Sequence, residues 1–327
     1  MSGQIEPNSS GRSGPEGGPD VRELVQKLNS LVEGDQAAAQ LIACGEAAIP
    51  AVGSFLLHGK PGVIYQPRLR AIEVLGALGA KKSLIEYLRS RKREPDPSVR
   101  MAEDAVENAA ALELTRWRTE DVFDVLIGLA GSHLRPGVVE ALGQFRRAEA
   151  IPYLLGGLED DVCRSAAEEG LRSLGREAEN ELVAAARHAV PSVGDEHPSS
   201  LLRRRAAIGL LAELGPSAAN WPLLQPLMDD RDPTVVAGAA RIAASLGSEE
   251  DRVYAVNRLL AVLPDADWSV RLEIRESLSR LYPDGQAQIE EEIAKRKAQP
   301  LVLRVTDSVL MTLLAVSQGN PREKSTE

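Results

Sequence analysis

An all-α solenoid of about eight helical hairpins is predicted by three observations. One apolar pattern returns down the chain in seven steps from Gly34 to Arg271, a period of about 34 residues. Within each return the apolar residues sit at offsets of three and four, which places them on one stripe of a helix. Aromatic residues are only 3% of the chain, and alanine and leucine, both good helix formers, dominate the apolar set. At 43% hydrophobic and 26% charged the chain has a folded composition, and its 27 glycines and 20 prolines are scattered, which excludes a collagen-like or wholly disordered polymer.

The first helix of each unit reads Arg-x-x-Ala-x-x-x-Leu-x-x-Leu-Gly. Its best copies are Arg68, Ala71, Leu75, Leu78, Gly79; Arg164, Ala167, Leu171, Leu174, Gly175; and Arg204, Ala207, Leu211, Leu214, Gly215. Weaker copies begin at Gly34, Arg135, Val236 and Arg271, and an irregular one runs from Asp96 to Leu112. Alanine lets a neighbouring helix approach closely, and the closing glycine is the usual left-handed stop. Asp96, Asp160, Ser200, Asp232 and Asp267 stand where a cap would accept bonds from the first turn. Pro97 and Pro233 follow two of these at a position that tolerates proline. Arg100, Arg164 and Arg271 lie four residues after Asp96, Asp160 and Asp267, and an Asp/Arg ladder between repeats is expected of them.

The second helix reads Ile-x-x-Leu/Val-x-x-x-Leu, as in Ile49, Val52, Leu56 and Ile151, Leu154, Leu158. Later copies end at Leu88, Leu129, Ala186, Leu227, Leu260 and Ile293, in step with the first series. Such a hairpin cannot bury its apolar face alone, and stacked neighbours bury a continuous core. The solenoid is expected over residues 20–298, interrupted by longer connections at 58–67, 131–137 and 189–199. Residues 1–19 (MSGQIEPNSSGRSGPEGGP) and 317–327 read as disordered tails, and 299–316 as a helix covering the end of the stack.

Charge and rare residues narrow the function. With 38 Lys+Arg against 48 Asp+Glu, the net charge of −10 disfavours nucleic acid and anionic membrane surfaces. No signal peptide and no long uncharged apolar span are read, so no membrane contact and a cytoplasmic setting are expected. Cys44 and Cys163 are too few and too far apart for a disulfide framework or a zinc site, and read as buried thiols in a reducing compartment. The four histidines, 58, 133, 188 and 197, fall in loops or near a helix end and read as solvated or capping groups. Trp221 and Trp268 read as packing residues near helix starts. The runs Glu168-Glu169 and Glu290–Glu292 are solvated faces, because adjacent carboxylates on a helix point apart. No phosphate loop, nucleophile elbow or metal-ligand spacing is present. No catalytic residue, cofactor or metal is expected.

The Asp-x-x-x-Arg start, the Ala/Leu stripe and the Ile-Pro openings at Ile49-Pro50 and Ile151-Pro152 resemble HEAT repeats. They are similar to the short bacterial variety also seen in phycobilisome lyase-like proteins. The resemblance covers nearly all the chain after residue 19, and implies a right-handed α-α superhelix with second helices on its concave face. Relatives that are di-iron hydroxylases depend on repeated His-Glu pairs, which this chain lacks. Relatives that remove alkylated bases need a basic concave face with aromatic residues, against which the acidic balance counts.

Placed on that pattern, Phe55, Tyr87, Gly157 and Pro226 are expected to face outward, as are Ala51, Ser83, Tyr153 and Pro222. Phe55, Tyr87 and Tyr153 are then candidate anchors for a partner, since amphipathic rings are favoured at interfaces. The loop 58–67, with Lys60, Tyr65 and Arg68 nearby, is a second candidate. The reading is a non-catalytic scaffold or adaptor that binds a protein or peptide on the concave face. The alternative is a lyase-like enzyme or chaperone for a bound small molecule. Partner identity and oligomeric state are not legible.

Overall fold

The structure is a computed structural model that describes residues 20–91 and 94–318, with backbone alone at Val305. The expected tail 1–19 lies outside the described residues. Of the tail expected over 317–327, residues 317 and 318 close the last helix and the rest lie outside. The fold is an all-α solenoid. Among the described residues the only extended pairing is an isolated bridge between Pro191 and Glu196. The chain divides after Val125 into two compact units.

The first unit holds α1 (Val21–Lys27), α2 (Gly34–Ala43), α3 (Ile49–His58), α4 (Gln66–Ala77), α5 (Lys81–Ser90) and α6 (Pro97–Leu114), and the division falls within α7 (Glu120–Ser132). First helices pack in succession, α2 on α4 and α4 on α6, while α3 packs on α5. The stripe residues Ala37, Leu41, Ala71 and Leu75 and the second-helix residues Val52, Leu56, Leu84 and Leu88 fill the space between the two layers. Gly45 (φ 67°) and Gly79 (φ 70°) end their first helices in the left-handed region, as the pattern requires.

The second unit continues with α8 (Pro136–Phe145), α9 (Ile151–Gly157), α10 (Arg164–Leu174), α11 (Glu179–Arg187), α12 (Pro198–Leu214), α13 (Trp221–Leu224), α14 (Pro233–Leu246), α15 (Glu249–Val262), α16 (Trp268–Lys297), α17 (Leu301–Val305) and α18 (Ser308–Gln318). Here α8, α10, α12, α14 and α16 stack in order, and α9, α11 and α13 form the other layer. The closest approach joins α8 to α10, where a Cβ added to Gly143 would stand 2.7 Å from the Cα of Gly170. Asp96, Asp232 and Asp267 each accept from two first-turn amides. Asp160 caps the turn just before α10 through the amides of Val162 and Cys163.

Several positions depart from expectation. The cap of α12 is His197, whose Nδ1 accepts from the Ser199 amide at 3.3 Å, and Ser200 is buried inside the first turn. Gly247 has φ −69°, because Ser248 at once opens α15 with a capping box shared with Asp251. On α15 it is Leu259 that is fully buried, and Leu260 is half-buried. The ladder expected of Arg100, Arg164 and Arg271 does not form. Their aspartates are engaged by first-turn amides, and the arginines turn to Pro95, Asp161 and, for Arg271, Pro264 and Ser308. Pairs between repeats come instead from Arg70 with Asp35, Arg172 with Glu213, Arg205 with Asp232 and Arg252 with Asp284.

The last repeat has no loop. Helix α16 runs for 30 residues with one non-helical residue, Gly285, just after Pro283. If straight, it would set Arg271 and Arg296 about 37 Å apart. Yet Arg271 bonds Ser308 and Arg296 pairs with the adjacent Asp307, so the chain doubles back at Pro283–Gly285 into the expected eighth hairpin. The segment expected to be one terminal helix is two, α17 and α18. Asp307 stands between them, accepting from the amides of Val309 and Leu310 at 3.0 Å each.

Candidate interaction surface

In the first unit the start of α4 fastens two loops. The Arg70 guanidinium lies over Gly34 and donates to the carbonyls of Leu28 and Ser30, both at 2.9 Å, while its Nε bonds Asp35 at 2.6 Å. Two residues earlier, Arg68 donates to the Gly59 carbonyl at 3.2 Å. Ser30 Oγ tightens the first loop further by accepting from the amides of Val32 and Glu33. The polar backbone of both loops is thus held from the side of α4. Their apolar side chains are left in solvent, with Leu31 75%, Val32 91%, Val63 62%, Ile64 68% and Tyr65 38% exposed. Lys60 is exposed beside them. Large exposed apolar groups on loops are candidate contact surfaces.

Behind these loops lies a closed charged cluster. Tyr87 is 1% exposed, its ring between the guanidinium groups of Arg68 and Arg91, each 5.6 Å from the centroid. Its hydroxyl donates to Glu103 at 3.3 Å. Glu103 also takes Arg68 Nε at 2.8 Å and Arg91 at 3.0 Å, and Glu107 takes Arg91 Nε at 3.1 Å. Burial pushes the Tyr87 hydroxyl well above the usual phenol range, and Glu103 adds to the rise. Two cations, two carboxylates and a ring are held together here, although Arg68 Nε and Glu103 Oε1 face each other as an ion pair without a hydrogen bond, and the cluster ties α4, α5 and α6.

The residues singled out from sequence therefore separate. Tyr87 and Arg68 are buried. Tyr87 turns inward because Glu103, from the next helix, supplies the partner its hydroxyl needs. Phe55 is half-buried at the end of α3, and Tyr153 is half-buried beside Gly131 in the second unit. Of the other positions expected outward, Pro222 and Pro226 are exposed and Gly157 is buried. Lys60 and Tyr65 stand at the surface. Leu31 and Val32 were not foreseen. The available signal was two apolar residues in a turn, outside any helical stripe.

In the second unit the repeat's arginine does similar work. Arg204 is 4% exposed and donates to the Ala186 carbonyl at 3.0 Å, to Glu196 at 2.5 Å and to Asp230. Burial opposes its charge, and Asp230 and Glu196 more than offset this, so its pKa rises. Ser200 donates to Glu196 at 2.6 Å and accepts from the Val190 amide, so the loop 188–197 is pinned to α12. A cleft of about 740 Å³ opens beside it, lined by Arg187, Asp195, Arg204 and Asp230 among others. Its lining holds three arginines against five carboxylates, so the cleft is acidic. Cys163 is buried, and burial together with Asp160 pushes its thiol up to about 11. Among the described residues no group of three or more His, Cys, Asp or Glu side chains is placed to hold a metal ion. None of the described helices is long and apolar enough to cross a membrane.

Hairpins stacked through an Ala/Leu seam, with arginines bracing several repeats to their neighbours, define an α-solenoid repeat protein. Residues 102–172 and 193–279 match the family model of HEAT repeats, and the chain is a HEAT-repeat protein. Repeats of this kind form helical scaffolds that commonly serve protein interaction. No curated protein matches the chain.

Proposed function

We propose that this protein is a non-catalytic scaffold that binds a protein or peptide, and that the partner seats on the two loops held by α4. The observation that carries this reading is the set of five large apolar side chains, Leu31, Val32, Val63, Ile64 and Tyr65, kept in solvent by buried arginine contacts beneath them. Pre-fastened loops lose little freedom on binding, which favours affinity. Lys60 at the rim adds a single cation to a chain of net charge −10. That balance makes nucleic acid a poor partner. A cytoplasmic setting fits the two free cysteines. The second-helix face contributes Phe55 and Tyr153 only as half-buried side chains and is the lesser part of the surface. A photo-crosslinking residue at Val32 or Ile64 should capture one protein in cells, and Val32→Ser with Ile64→Ser should weaken that partner at least tenfold without loss of helicity. Unchanged affinity in the double variant overturns this choice of surface. A pigment or other small molecule that copurifies stoichiometrically overturns the scaffold reading.

A further inference from the structure

The last repeat exposes apolar surface where a repeat stack normally ends in a polar face. Trp268 is 80% exposed and Leu272 42%, one turn apart at the start of α16. On α17, Leu301 is 66%, Val302 81% and Leu303 55% exposed, and on α18 Met311 is 63% exposed. Bonds described above bring these groups together at the last repeat of the second unit. Arg271, between Trp268 and Leu272, bonds Ser308, and Arg296, just before α17, pairs with Asp307. The joint between α17 and α18 therefore sits at the open end of the eighth hairpin, beside the first turn of α16. The inner face of α18 is already used, with Val309, Leu310, Leu313 and Val316 buried, so Met311 belongs to the outer side.

We propose that this end of the solenoid is a self-association surface, occupied by the same end of a second copy in a two-fold dimer. The area suits it. Weighting each side chain by its exposure gives about 500 Å² of apolar surface per copy, from roughly 200 Å² for an aromatic ring and about 100 Å² for the aliphatic chains. A standard-size interface takes about 800 Å² per partner, of which about 56–58% is apolar. The charges suit it as well. Asp265 and Asp267 stand at one side of Trp268, Arg275 lies one turn beyond Leu272, and Arg304 ends α17. With Arg271 between Trp268 and Leu272 and the exposed Glu276 one turn beyond Leu272, acids and bases are mixed around the apolar centre, and a partner of one strong charge gains no advantage. A two-fold axis through the centre sets acid against base in both copies.

The test is the mass of the full chain in solution, by light scattering and sedimentation from about 1 to 100 µM. The expected species is twice the 35.1 kDa chain, weakening by several-fold in Kd when salt is raised. Trp268→Glu and Val302→Glu each lie on the surface and should give monomers with unchanged circular dichroism and Tm. Trp268 emission should also shift to shorter wavelength as the wild type associates. A wild type that stays monomeric at 100 µM overturns the proposal, and so does a dimer that survives both variants. The partner-binding surface lies in the other unit, so the variants at Val32 and Ile64 should leave the dimer intact.

Discussion

Replacing Glu103 with alanine should be the most damaging single change in the first unit. The carboxylate is 1% exposed and receives Arg68 Nε at 2.8 Å, Arg91 at 3.0 Å and the Tyr87 hydroxyl at 3.3 Å. Removing it leaves Arg68, 5% exposed, with the Gly59 carbonyl and the Tyr87 ring but no carboxylate, while Arg91 keeps Glu107. Breaking a buried ion pair from one side costs about 3–5 kcal/mol, because the remaining charge is desolvated without an opposite charge. Since one of the two arginines retains a carboxylate, about 3–4 kcal/mol is expected for Glu103→Ala. Glu103→Gln keeps an acceptor and the shape, and should cost about 2 kcal/mol. The double change Arg68→Met with Glu103→Leu removes both charges and should cost less than Glu103→Ala alone. Urea titration of the full chain followed by far-ultraviolet circular dichroism reads all three, as a shift in the midpoint of the transition assigned to the first unit. A loss below about 1 kcal/mol for Glu103→Ala, or a double variant less stable than the single, would refute an account based on unpaired charge.

Four further outcomes follow from other contacts. Cys163, with its thiol pushed up to about 11, should resist thiol reagents at pH 8, so native protein yields Cys44 first and Cys163 only on unfolding. Because the folded state holds that proton more tightly than the unfolded state, stability should fall as pH climbs from about 9 towards 11, and Cys163→Ala should flatten that slope in thermal melts; equal slopes would exclude the thiol as its source. Arg204→Ala removes the tie among Ala186, Glu196 and Asp230, and should open the loop 188–197 to limited proteolysis at least tenfold faster; an unchanged cleavage pattern would mean the loop is held elsewhere. Gly79→Ala meets nothing within 4 Å but must hold φ 70°, so a loss of about 1 kcal/mol is expected. Gly170→Ala meets the Cα of Gly143 and Leu154 at 3.0 Å and should lose about 1–3 kcal/mol by forcing α8 and α10 apart, which calorimetry of the two variants would compare.

The hairpins were readable because their cause is local. Ala71, Leu75, Ala207 and Leu211 announce a buried stripe by spacing alone, and the glycines at 45, 79, 175 and 215 announce its end. What failed to read depends on a neighbour. Nothing in α5 reveals that Glu103 will meet Tyr87, so the pattern alone points the ring outward where the fold turns it in. Nothing near Arg271 reveals Ser308, thirty-seven residues on. Leu31 and Val32 carry no period, and their exposure follows from Arg70, which holds the loop by its backbone.

A glycine starts α2 because a later part of the chain needs the room. The Arg70 guanidinium fills the place a side chain at Gly34 would take, and the Glu113 side chain does the same over Gly76. These two bricks are therefore notched to fit the one laid after them, while Gly238 and Gly285 are notched for Ile208 and Val256 of the brick before. Deleting or shuffling a hairpin, which a regular period seems to invite, would leave an empty notch or force a collision at the new joint. The array can be lengthened by copying only if the fitted residues travel in adjacent pairs.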